Sequence, residues 1–158
     1  MDFTAFRSQF PVTARWAFLD HAAVAPLPAP AVAALQGYAD SLAANGVAAV
    51  KEWMDRIAHV RTLAAQLINS PSVDDVYFVP NTTHGIGVVA EGFPWQPGDN
   101  VVLAAEEYPA NQYPWMNLAA RGVEVRSVPS RGGRLAVDDL RAAMTDRTRV
   151  LTVSSVEF

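Results

Sequence analysis

After an irregular arm of about 30 residues, apolar positions keep a helical period to about residue 70 and then change to short continuous runs. Phe3, Phe6 and Phe10 are spaced as one short amphipathic turn or helix, which Pro11 ends. Residues 16–19 (Trp-Ala-Phe-Leu) read as a short extended piece. Pro26, Pro28 and Pro30 exclude a helix through that stretch, although Pro30 suits the first turn of the next one. Leu35, Tyr38 and Leu42 then form one apolar face, and Asn45-Gly46 is a stop signal. A second helix is expected over Val47 to Leu67, with Trp53, Ile57, Val60, Ala64 and Leu67 on one face and Asn69-Ser70-Pro71 beyond it.

Four apolar runs follow, at Val76–Val79, Val101–Ala104, Val123–Val128 and Val150–Val153. Unbroken runs of this kind suit strands buried on both faces of a parallel sheet. Helical stretches lie between them, at about Thr83–Glu91, Asn111–Arg121 and Asp138–Met144. Alternation of strand and helix predicts an α/β fold, with helices around a mainly parallel sheet. Gln96-Pro97-Gly98-Asp99 and Arg131-Gly132-Gly133-Arg134 are turn signals. The last residue, Phe158, closely follows a predicted central-type strand, which implies either an exposed sheet edge or a fragment of a longer chain.

Composition narrows the classes. With 158 residues, 51% of them hydrophobic, the chain can bury a sizeable core. A net charge of −4 argues against nucleic acid or an anionic membrane as the main partner. Cysteine is absent, which excludes a disulfide scaffold, a thiolate metal site and a cysteine nucleophile within these residues. No run approaches the ~18 apolar residues of a membrane span. The start, Met1-Asp2-Phe3-Thr4, lacks signal-peptide features, so a cytoplasmic location is expected. Lysine occurs once, at Lys51, near the start of the second helix, where a solvated surface role is expected.

The segment Val79 to Gly87 lies between a predicted strand and a helix. Thr82 and Thr83 bring two hydroxyls to first-turn N–H groups that lack intrahelical partners, an arrangement suited to an anion. The plainer reading is that Asn81 or Thr82 only caps the helix. Gly85-Ile86-Gly87-Val88-Val89-Ala90 also matches a dinucleotide-binding fingerprint, with Glu106 and Glu107 near the ribose-binding position. Its glycines fall inside the helix, where close packing explains them better. Past the next strand, Tyr108 could stack on a planar ligand, or Tyr108, Tyr113 and Trp115 could be ordinary packing residues. Asn111 is expected to cap the following helix. His59 reads as structural or solvated, and Asp138-Asp139 as a helix start.

Three segments, in order and spacing, resemble the class-V aminotransferase family of fold-type I pyridoxal-phosphate enzymes. They are Phe18-Leu19-Asp20-His21-Ala22-Ala23 with Pro26-Leu27-Pro28, Asn81-Thr82-Thr83-His84-Gly85-Ile86, and Glu107 to Trp115. The resemblance implies that Thr82, Thr83 and the backbone N–H of His84 hold the phosphate of pyridoxal 5'-phosphate. It implies that Tyr108 stacks on the ring, and that His21 and Ala22 border the substrate pocket. Residues 1–29 would be an N-terminal arm and entrance segment, and 30–158 an incomplete cofactor-binding large domain.

The family's Schiff-base lysine and its pyridinium-pairing acid would lie beyond this chain, so the chain alone is expected to be inactive. No residue here is expected to be catalytic or to hold a metal. An amino acid or amine is the implied substrate, and a homodimer the implied full-length state. The desulfurase branch usually carries histidine where Tyr108 stands, and asparagine near Glu157-Phe158. Both differences favour an aminotransferase- or epimerase-like member over a cysteine desulfurase or selenocysteine lyase. The alternative from another class is a self-contained α/β module holding a phosphate-bearing ligand or dinucleotide non-covalently.

Overall fold

The computed structural model describes residues 3–20 and 24–155. They divide between Tyr77 and Phe78 into two compact units. No helix among the described residues is long and apolar enough to cross a membrane.

The first unit is helical. α1 (Phe3–Ser8) carries Phe3 and Phe6, with Phe10 beyond its end, α2 covers Ala29–Asn45 and α3 covers Val50–Leu67. Pro28 is extended at the start of α2, and Pro30 sits in its first turn, where a missing N–H costs nothing. Gly46, at φ 51°, ends α2, and one 3-10 turn over Gly46–Ala49 leads into α3. The second helix therefore becomes α-helical at Val50, three residues later than its apolar pattern suggests. Tyr38 of α2 meets Trp53 of α3 edge-on, with ring centroids 4.7 Å apart. The Arg56 guanidinium covers the other ring at 5.0 Å.

Two expected extended pieces form no strand: residues 16–19 and Val76–Val79. Val76 is extended, at φ −111° and ψ 120°, but a strand requires a ladder partner as well as a conformation. Arg61 takes the Val76 carbonyl (2.9 Å) and the Val73 carbonyl (2.7 Å), while Tyr77, Phe78 and Val79 stay exposed.

The second unit is the α/β part. α4 (Thr82–Gly92) precedes β1 (Asn100–Ala104). α5 (Tyr113–Met116) precedes β2 (Glu124–Val128), and α6 (Val137–Ala143) precedes β3 (Thr148–Thr152). The three strands are parallel in the order β2-β1-β3. β1 is buried along its whole length, as a central strand covered on both faces must be, whereas β2 and β3 alternate or stay partly exposed.

The faces separate by period two. Val101 and Leu103 pack with Ala90 of α4, Trp95, Trp115 of α5, Leu118 and Val123. Val102 turns the other way, onto Val128 and Leu140 of α6. Each fully buried aliphatic side chain contributes roughly 1.5–3 kcal/mol. Both core indoles find acceptors: Trp95 donates to the Ala90 carbonyl (2.7 Å) and Trp115 to Asn111 Oδ1 (3.1 Å).

The helix expected over Asn111–Arg121 is broken. Pro109 and Pro114 remove donors, leaving a 3-10 turn at Pro109–Asn111, the four residues of α5, and a 3-10 turn at Asn117–Arg121. Gly122, at φ 76°, closes this stretch.

The amino end of β1 is tied to the start of β3 by polar groups. Asp99 Oδ1 accepts from Arg149 (3.0 Å) and lies 3.2 Å from the Arg147 guanidinium. The Asn100 side chain bonds both Thr145 (3.0 Å) and Thr148 (2.7 Å). The β1–β3 register slips by one residue here, opposite the Asn100–Val101 step, which leaves Arg149 unpaired in the ladder.

Candidate functional site

The strand order places β2 on one side of β1 and β3 on the other. In an open parallel sheet, the crevice beyond the carboxyl ends of two such strands is where ligands bind. Two features of this unit hold the residues singled out in the sequence.

The first is the start of α4. Asn81 is extended, at φ −166° and ψ 168°, and its Oδ1 accepts the His84 N–H at 2.8 Å. Asn81 is therefore the cap. The His84 N–H, expected to meet an anion, is engaged by that cap, and an anion would have to compete with Asn81 for it. Thr82 and Thr83 begin the helix proper and are exposed. Their N–H groups belong to the first turn, which has no i−4 carbonyl to receive them. A Cβ added at Gly85 would stand 3.3 Å from the Val79 side chain, so this glycine lets the helix close on the segment that enters it. Gly87 has open space instead. Both glycines lie inside α4, away from the tight entry turn that the dinucleotide fingerprint needs, which removes the physical basis for that reading.

The second is the segment after β1. Tyr108 is 58% exposed, and the turn that follows it, Pro109–Asn111, packs against α4. Trp115 is core and Tyr113 is exposed, so of the three aromatics only Trp115 is a buried packing residue. Asn111 does not cap a helix. It is buried, and its Oδ1 accepts from Trp115 Nε1 and from the Thr152 hydroxyl (2.7 Å).

The adjacent glutamates differ. Glu106 accepts from the Ser130 N–H (3.0 Å) and the Ser130 hydroxyl (3.0 Å), which hold its carboxyl below the usual range. Glu107 is 1% exposed, and its carboxylate accepts from both the N–H and the hydroxyl of Ser154, just past β3. On the α6 face, Glu106, Ser130, Leu135, Leu140, Val153 and Ser154 line an open cavity of about 650 Å³.

Other sequence candidates separate from these features. Lys51 lies in the first unit, its side chain 85% exposed and its ammonium 2.7 Å from Asp55. His59 is exposed on α3. His21 and Ala22 fall outside the described residues. Among the described residues, no three His, Asp or Glu side chains gather as metal ligands. Sequence reasoning missed the burial of Glu107 and Asn111, since nothing in a pair of glutamates or a helix-start asparagine marks which will face inward.

Comparison with known proteins agrees with this layout. A family model for class-V aminotransferases matches residues 17–157. A cysteine desulfurase of Cronobacter sakazakii is 38% identical over 165 aligned positions, covering 95% of this chain and 41% of that protein. The crystal structure of the Escherichia coli cysteine desulfurase CsdA superposes with a TM-score of 0.80 at 32% identity, over 96% of this chain and 40% of that one. A C-DES variant with glycine covalently linked to its PLP cofactor superposes with a TM-score of 0.87 at 26% identity, over 96% and 41%. The chain spans about two fifths of the length of these relatives.

Proposed function

Because the chain belongs to the class-V aminotransferase family, we propose that it supplies the phosphate- and ring-holding part of a pyridoxal-phosphate enzyme acting on an amino acid. The observation that carries this is the packing of α4, with Thr82 and Thr83 at its start, against the turn that follows the exposed ring of Tyr108. The residues present fit the phosphate and the ring of the cofactor. Thr82 and Thr83 offer hydroxyl and first-turn N–H donors to a dianion, which the helix dipole also favours. Tyr108 offers an aromatic face.

The cofactor, when bound, supplies an electron sink for negative charge developing at the substrate α-carbon. This chain's part is to orient it. Thr82 and Thr83 anchor one end, Tyr108 restrains the plane of the ring, and Asn81 keeps the helix start formed. Lys51 is solvated and paired with Asp55, the setting of an ordinary surface lysine, and is assigned no role as the covalent anchor.

Within the family, the desulfurase branch is favoured by the names of the relatives, against the preference that Tyr108 and Glu157-Phe158 give for an aminotransferase- or epimerase-like member. The independent binding module is set aside, because the family match runs over residues 17–157.

An absorbance titration of the purified chain with pyridoxal phosphate tests the reading. Saturable binding is expected, weakened about tenfold by Thr83→Ala through loss of a hydrogen bond to a charged group. Absence of binding, or binding that Thr83→Ala leaves unchanged, overturns it.

A further inference from the structure

Four buried polar or charged side chains stand out among the described residues: Asp99, Asn100, Glu107 and Asn111. All four tie the flanks of β1 to the flanks of β3. Asp99 and Asn100 do so at the amino ends of the strands. Glu107 and Asn111 do so at the carboxyl ends, through Ser154 and Thr152. Glu107 has no place in the function described above, and it is the group beside Tyr108. A carboxylate that is 1% exposed is costly to bury unless its oxygens are satisfied. Here Oε1 takes the Ser154 N–H and Oε2 takes the Ser154 hydroxyl at 2.8 Å.

The backbone on either side of Tyr108 is held as well. The Gln112 side chain donates to the carbonyls of Glu107 and Ala105 (3.3 Å for the latter). The Glu107 N–H donates to Ala104 (3.3 Å), and the Asn111 N–H donates to the Tyr108 carbonyl at 2.8 Å. The Tyr108 ring is 58% exposed and is carried on this anchored backbone.

We propose that Glu107 is a positioning residue: its bidentate hold on Ser154 locks the carboxyl ends of β1 and β3 together and so fixes the backbone from which Tyr108 presents its ring to the cofactor. The inference rests on the cofactor reading given above. It assigns Glu107 a geometric role, in which the carboxylate matters as a two-point acceptor. An amide in its place keeps an oxygen for the Ser154 N–H and an NH2 that the Ser154 hydroxyl can accept.

The test compares wild type, Glu107→Gln, Glu107→Ala and Ser154→Ala, with pyridoxal phosphate and inorganic phosphate as separate probes. Titrations give both affinities, and circular dichroism in the cofactor band reports how the bound ring is held. Glu107→Ala is expected to weaken pyridoxal phosphate about tenfold and to reduce the circular dichroism per bound cofactor. Phosphate affinity, which depends on Thr82 and Thr83, is expected to stay within about twofold. Glu107→Gln is expected to restore both cofactor readouts.

Equal loss for both probes in Glu107→Ala, or unchanged cofactor binding in it, overturns the assignment, as does a Glu107→Gln variant as impaired as Glu107→Ala. If Glu107→Ala does not fold, Ser154→Ala decides. It removes one of the two bonds at an exposed residue, and a loss of about threefold for the cofactor alone is expected. No loss there overturns the assignment. Wild type that fails to bind pyridoxal phosphate overturns the cofactor reading itself, and this inference with it. Wild type that binds while the variants match it overturns only the role of Glu107.

Discussion

Asp99 shows how a single buried charge can be stabilising when its surroundings are arranged for it. Its Oδ2 accepts the Gln96 N–H at 2.7 Å, and this bond is the largest cause of a carboxyl held below its ordinary value of 3.8. Burial opposes the shift, and the guanidinium groups of Arg147 and Arg149 reinforce it. A carboxylate with a depressed folded-state pKa contributes stability that is present in full above its unfolded value, near 4. That contribution fades as the pH falls through the lower, folded value. Asp99→Asn is therefore expected to unfold at lower urea than wild type at pH 7, with the gap narrowing below about pH 4. Urea midpoints at pH 7 and pH 3 check this, and a gap of constant size would show that the charge of Asp99 plays no part. Glu106 has the same sign of dependence, from the Ser130 N–H and hydroxyl.

At the scale of elements, the turn between α5 and β2 is constrained both by conformation and by contact. Gly122 has φ 76°, and its carbonyl accepts the Gly98 N–H at 2.8 Å. A Cβ placed on it would stand 3.2 Å from Pro97 Cα, a backbone atom that cannot yield cheaply. Gly122→Ala is expected to cost about 1–3 kcal/mol, combining the left-handed penalty with this contact. Gly132→Ala, at φ 59° with open space around it, isolates the first part and should cost about 1 kcal/mol. Equal urea midpoints for the two variants would refute the steric argument. The elements also show what local sequence can encode. Val101–Ala104 reads as a doubly covered strand because its environment is apolar on both faces, and it is one. Val76–Val79 is likewise an unbroken apolar run yet forms no strand, because pairing depends on a distant partner that local pattern does not contain. The break in the helix expected over Asn111–Arg121 could have been read from Pro114, which cannot donate to the Ala110 carbonyl and crowds it. The places of Thr82, Thr83 and Tyr108 were legible, as a helix start after Asn81 and a segment just past the apolar run of β1. Glu107 was not, since burial of one of two adjacent glutamates follows only from where β3 arrives.

For the molecule as a whole, the separation of anchoring from chemistry makes a sharp prediction. The second unit packs the helix that starts at Thr82, proposed above to hold the phosphate, against the turn that follows the exposed ring of Tyr108. The sole lysine stands in the first unit, on the solvated side of α3, with Asp55 as its partner. Binding interactions that hold a cofactor without a group to take or give a proton at the substrate contribute affinity and little rate. Mixed with pyridoxal phosphate and L-cysteine, the chain is expected to bind the cofactor yet release sulfide no faster than free pyridoxal phosphate does. Lys51→Arg should leave that baseline unchanged, since the exposed ammonium only exchanges one ion pair with Asp55 for another of similar small worth. Sulfide release well above the free-cofactor rate and abolished by Lys51→Arg would mean that Lys51 takes part in the reaction. Release above that rate and retained in Lys51→Arg would assign the proton transfer to another group of this chain.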